Sequence, residues 1–290
     1  MKLHIESLAT ALAIVLASCQ STSSSGRVES IDPRGSTSIE NAADAMAGAD
    51  VVFLGEEHDN DVGHAMQLAF TQELHRRRPQ LVVSMEQFEA DVQVFLDAYL
   101  AGTLDEETFL AFARPWPNYP EHYRPVVEWA KENGVPVIAA NVPRRYARIV
   151  AYQGLGPVDY SLWTPFAVNT DEPAYLARFQ EAMGGHASDE PSAGTSRWFA
   201  AQCVKDDMMA QSIVAAIDRE LAAGDDSPLV VHWCGRFHSD YRLGTVSRVA
   251  QRRPELDLRV VSMVSGADGE RESIDELTLG DYVMRVPDQD

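Results

Sequence analysis

Short, uninterrupted apolar runs that each stop at a polar or ionisable group constrain this chain more than any other feature. They are DVVFLG (50–55), QLVVSMEQF (80–88), VPVIAANVP (135–143), PLVVHWCG (228–235) and DLRVVSMV (257–264). Runs this short and continuous read as strands buried on both faces, the pattern of a parallel sheet. Between them lie stretches of helical spacing at 64–78, 90–100, 106–113, 126–133, 143–153, 197–223 and 241–252. Strands alternating with helices predict an α/β fold: a mostly parallel sheet covered by helices on both faces. RPWPNYPEHYRP (114–125) is too proline-rich for a regular element. The tract from 160 onward is rich in Gly, Pro and acidic residues, with one helix at 173–183. It predicts a smaller helical insertion at about 160–196.

The first residues predict export. A basic Lys2 and an apolar run too short to span a bilayer lead to LASC, Leu16 to Cys19, which looks like a bacterial lipobox. Residues 1–19 would be a signal peptide, with Cys19 acylated after cleavage and the chain held to a membrane by that lipid. Gln20 follows the cysteine, so the expected address is the periplasmic face of the outer membrane. Residues 20–45 then form a flexible tether and lead-in, and 46–290 the α/β domain. The formal net charge of −20 sets this surface against nucleic-acid phosphates. Cys203 and Cys234 could pair in an oxidising compartment, although two thiols make no metal framework.

In an open parallel sheet, ligands sit beyond the C-terminal strand ends. The first run delivers Gly55, Glu56, Glu57 and His58 there, and the second delivers Glu86. The third delivers Asn141 and then Arg144, Arg145 and Tyr146. The fourth delivers Gly235 and His238, with His232 inside the strand. Each glycine stands three residues before a histidine, where close backbone approach lets the imidazole turn back over the sheet. His58, Glu57, Glu86 and His238 suit a divalent metal. Without metal, a histidine base oriented by a glutamate could activate water. Either glutamate of the first run could instead cap the next helix. His232 reads as a core histidine, and His64, His75, His122 and His186 read as surface groups.

Two arginines in the first turn of a helix oppose its dipole, which points to an anionic partner such as a carboxylate. Pairing with the many surface acids is the plainer alternative. The Tyr146 phenol is a donor when neutral and a hard iron ligand when ionised. Trp116, Tyr119 and Tyr123, stiffened by prolines, could wall a planar ligand or pack on their own domain.

Several stretches in one order carry a resemblance. They are VVFLGEEHDN (51–60), SMEQFE (84–89), WPNYPEHYRPVVEWAKENGVPVIAANVPRR (116–145), AQCVKDDMMAQSI (201–213) and HWCGRFHSDYRLG (232–244). Together they resemble the ChaN-like haem-binding lipoproteins, whose wider superfamily includes Tiki-type metalloproteases and erythromycin esterases. The resemblance implies haem as cofactor, a role in iron acquisition, haem held between two protomers, and an outer-membrane haem receptor as partner. It implies a tyrosine on the iron, for which Tyr146 is the first choice and Tyr152 and Tyr119 the reserves, with Arg144 and Arg145 at the propionates. Gln202, Asp206 and Met209, on the 197–223 helix, match the family's helix motif, and a buried Asp206 on the inner side of that helix could hydrogen-bond a strand-end histidine. The hydrolytic branches place a histidine, a glutamate and a second histidine where His58, Glu86 and His238 stand, so a metal- or water-activating hydrolase is the alternative.

Overall fold

The computed structural model describes residues 27–30, 36–156, 167–185, 191–266 and 278–286. Cys19 with its lipobox, the start of the tether, and residues 160–166 and 186–190 of the expected insertion, His186 among them, lie outside them. Six strands form a parallel sheet: β3 (Val51–Glu56), β4 (Val82–Glu89), β5 (Val137–Asn141), β6 (Val230–Gly235), β7 (Leu258–Ser265) and β8 (Tyr282–Val286). Two short strands, β1 (Arg27–Ser30) and β2 (Ser36–Thr37), add antiparallel to the β8 edge. The order across the sheet is β2-β1-β8-β7-β3-β6-β4-β5.

The buried runs behave as their composition demands. Alternate residues of each strand enter opposite layers. Val52, Leu54, Val83, Met85, Val231 and Trp233 join one core with α1 (Ile39–Met46), α2 (Asp61–Arg77), α3 (Gln93–Leu100), α4 (Glu106–Ala113) and α5 (Arg124–Asn133). Val51, Phe53, Val82, Val230 and Val260 face the other side. There they meet Ala210, Ile213 and Ile217 of α8 (Ala193–Ala223) and Val246 and Val249 of α9 (Thr245–Arg252). Two further helices, α6 (Arg144–Gln153) and α7 (Pro173–Ala182), lie near the strand ends. No helix among the described residues is long and apolar enough to cross a membrane.

Local chemistry sets the boundaries. Asn60 caps α2 by accepting the Gly63 N–H at 2.7 Å. Gly224 ends α8 with φ 97°, a left-handed position that suits glycine. Several expectations shift. The helix expected from 241 starts at Thr245, because Tyr241 and Arg242 both hold φ 59° and break the helix there. The proline-rich tract is partly regular, with a wide helical turn at Tyr119–Tyr123 that runs into α5. The last strand is β8 and not β7. The 20–45 lead-in supplies both edge strands and α1, whose N-terminus is capped by Ser38. Cys203 and Cys234 remain free, buried thiols.

Candidate functional site

Because β6 lies between β3 and β4, and β5 flanks β4, four strand ends open side by side. The β4–β5 register shifts between Met85 and Glu89, so Glu86 falls where the ladder is interrupted and its side chain can be re-aimed. At the end of β3, Glu56 is 1% exposed and accepts three donors on Oε1. These are His58 Nδ1 at 2.9 Å, Gln87 Nε2 at 2.9 Å and the Tyr123 hydroxyl at 2.7 Å. Burial alone would raise its pKa. The His58 hydrogen bond and the His64 and His58 charges outweigh burial and hold it below the usual range. A carboxylate at Nδ1 fixes the His58 tautomer, leaving the Nε2 lone pair free. Burial opposes the His58 charge, but the Glu56 bond and the Glu86 charge prevail and raise its pKa.

A second charged pair lies beside the first. Glu86 accepts the Gly235 N–H at 2.8 Å on Oε2, and its Oε1 is 3.2 Å from His238 Nε2. His238 Nδ1 is 2.7 Å from Asp206 Oδ1. With a carboxylate at each nitrogen, both must carry protons, and His238 is an imidazolium. Burial works against that charge, but Glu86 and Asp206 outweigh it and raise the pKa to about 10. Burial likewise opposes the Glu86 charge, and the adjacent His238 cation still holds its pKa well below the usual range. Asp206, fully buried, also accepts from Tyr175 Oη and Thr245 Oγ1, both at 2.9 Å.

His58, Glu86 and His238 share one cavity of about 500 Å³. Its polar lining is His58, Glu86, His238, Asn141, Gln202 and Lys205, with Glu89 and Arg144 also contributing. Its apolar lining includes Trp116, Val142, Ala147, Phe179, Met183 and Phe237. The Trp116 ring meets His58 edge-on at 4.9 Å. Gly235 is required by contact, since a Cβ there would lie 2.7 Å from His58 Cε1. Gly235→Ala is expected to displace the His58 ring and to cost about 1–3 kcal/mol. Urea unfolding, with the shift of the His58 ring resonances, would check it.

The structure brings His58, Glu86, His238, Trp116 and Arg144 to the cavity and leaves other candidates outside. Glu57 turns to Ser265 and Arg236, so Glu56 is the carboxylate that holds His58. Strand alternation could have separated them, because Glu56 shares a face with Val52 and Leu54. Arg144 pairs with Glu89, and Arg145 with Asp91 at 2.6 Å, so the surface-acid alternative describes both arginines. Tyr119 is 1% exposed in the core between Phe88 and Phe109. Tyr123 is buried on Glu56, so of the expected aromatic wall only Trp116 faces the cavity. Tyr146 packs half-buried beside Val142 and Ala147, under the Arg145 guanidinium, because α6 presents Arg144 and Ala147 to the cavity instead.

His64 and His122, expected at the surface, are buried and stacked at 4.3 Å. Nothing in their local sequence separates them from surface histidines. His232 is a core histidine as expected, bonded to Ser84, and burial lowers its pKa to about 4. Among the described residues, no group of three or more His, Cys, Asp and Glu is arranged to hold a metal ion. The expected divalent site is not assembled, because Glu57 points elsewhere and both His238 nitrogens are donors.

Comparison with known proteins places this geometry. The family described as haem-binding uptake, Tiki superfamily, ChaN matches residues 42–249. The chain is 25% identical over 233 residues to Protein RETICULATA-RELATED 5, chloroplastic, of Arabidopsis thaliana. That match covers 74% of this chain and 31% of the relative, so the chain spans about a third of the relative's length. Among solved structures it is similar to ChaN of Campylobacter jejuni, described for cofacial haem binding. There the TM-score is 0.67 at 17% identity, over 89% of this chain and 96% of that one. A Bacillus cereus protein gives a TM-score of 0.51 at 11% identity, over 91% and 95%. At these identities the solved structures show a shared fold. The family match takes in every cavity residue named above, and this chain belongs to the ChaN haem-binding uptake family of the Tiki superfamily.

Proposed function

We propose that this protein binds haem and passes it on in iron acquisition, as a lipoprotein anchored through Cys19 on the periplasmic face of the outer membrane. The observation that carries the reading is family membership joined to an apolar-walled cavity over a histidine-bearing floor. Porphyrin faces are apolar and the iron needs a Lewis base, and the cavity lining offers both. Two protomers would share the haem, and an outer-membrane receptor would be the exchange partner. Adding hemin to the purified protein is expected to give a saturable shift of the Soret band. A strictly linear, non-saturating response would sink the reading.

A second reading is favoured by the charged pairs themselves. His58 Nε2, oriented through Glu56, is placed as a general base, and the His238 imidazolium beside Glu86 could stabilise a developing oxyanion. In this water-activating hydrolase, His58→Ala would lower hydrolysis of a chromogenic ester by roughly 10²-fold or more. Turnover equal to the unaltered chain would exclude it.

A further inference from the structure

Two polar groups of the cavity are left unused by its charged pairs. Lys205 lines it from α8 and is half-buried. The other cationic and imidazole groups of the lining each face a carboxylate. Arg144 has Glu89, His58 has Glu56, and His238 has Glu86 and Asp206. Lys205 has no hydrogen bond or contact ion pair among the described residues. Its charge acts on Glu86 only at longer range, and that carboxylate already holds Gly235 N–H and His238. Asn141 lines the same cavity from the end of β5. It is 8% exposed, and its Oδ1 is wholly buried with no hydrogen-bond partner. Nδ2 has no partner either among the described residues, and it is the side of the amide left to the cavity. A buried amide is costly to leave unpaired, so Asn141 needs a partner that the fold does not supply.

Together these groups select a kind of ligand. An ammonium and an amide N–H are both donors, and a carboxylate brings two acceptor oxygens and the opposite charge. A hydroxyl would satisfy the amide but leave the cation unpaired, and a cationic ligand would be repelled. On a chain of net charge −20, an anion needs such a local cation to be held. The neighbouring wall is apolar, with Val142, Ala147, Phe179 and Phe237, so the carboxylate belongs on an apolar body. We propose that Lys205 and Asn141 form a carboxylate-binding subsite of the cavity, in place of the arginines of α6. That the carboxylate is a haem propionate rests on the haem-binding reading above. The subsite for a carboxylate on an apolar body does not.

Titrating the full chain with hemin and with its dimethyl ester, in which both propionates are neutral, tests the proposal. The unaltered chain is expected to bind hemin roughly tenfold or more tighter than the ester. Lys205→Gln loses that preference by weakening hemin and leaving the ester as it was. A lysine acting only through the field at Glu86 and His238 would change both ligands alike. Asn141→Leu also narrows the preference, while its urea midpoint holds or rises because an unpaired amide is gone. Equal affinity of the unaltered chain for hemin and ester overturns the proposal and leaves haem binding standing. So does an equal loss of both ligands in Lys205→Gln, or a preference removed by Arg144→Gln instead. Absence of saturable hemin binding overturns the haem reading alone. The subsite is then read from the Asn141 side-chain amide resonances, which octanoate is expected to move in the unaltered chain and not in Lys205→Gln. Resonances indifferent to octanoate overturn the subsite as well.

Discussion

Replacing Asp206 with alanine is expected to destabilise the fold by about 3–5 kcal/mol, the range for removing one member of a buried charged pair. Asp206 is fully buried and stands at the centre of three donors, His238 Nδ1, Tyr175 Oη and Thr245 Oγ1. These donors come from the turn after β6, from α7 and from the start of α9, so one carboxylate on α8 ties three segments together. Its loss leaves a buried imidazolium with only Glu86 and strands two hydroxyls without an acceptor. A fall in the urea midpoint at unchanged m would register it. A loss under about 1 kcal/mol would show that Asp206 is not what holds His238 charged. Asp206→Asn, which keeps the acceptor but not the charge, is expected to fall between the two.

The same cluster predicts how stability follows pH. The Glu86 pKa is lowered from 4.5 in the folded protein, so its contribution is present above 4.5 and is lost as pH falls below it. The His238 pKa is raised from 6.5 to about 10, so its contribution is full below 6.5 and is lost as pH rises through about 10. Stability is therefore expected to peak between about pH 5 and 6.5 and to decline on both sides. Glu86→Gln should flatten the acid limb. It should also bring the alkaline decline to lower pH, since the His238 cation then keeps one carboxylate instead of two. Urea midpoints across the range test both limbs, and an acid limb unchanged in Glu86→Gln would remove Glu86 from the account.

Particular residues mark how far local pattern reaches. The run VVFLG announces a strand buried on both faces because continuous apolar sequence has no other inexpensive arrangement in a helix-covered sheet. Gly235 and His238 could be paired with Gly55 and His58 by spacing alone. The glycine-to-histidine spacing does not tell which glutamate holds His58, although strand alternation sets Glu56 on the face of Val52 and Leu54. Glu56 is chosen by Gln87 and Tyr123, which are 31 and 67 residues away. Arg144 and Arg145 look like an anion site along the chain, yet Glu89 and Asp91 on a neighbouring strand end and turn neutralise them. His64 and His122 read as polar surface residues until α2 and the turn before α5 close over them.

The sequence by itself determined the alternation of strand and helix, the edge of the sheet where chemistry collects, and the family. These follow from apolar periodicity and from motif order, both of which are properties of the chain read in one direction. Only the tertiary structure decided which groups are charged, which are paired and which remain open. A protonation state depends on burial and on carboxylates brought near from distant segments, as His238 shows between Glu86 and Asp206.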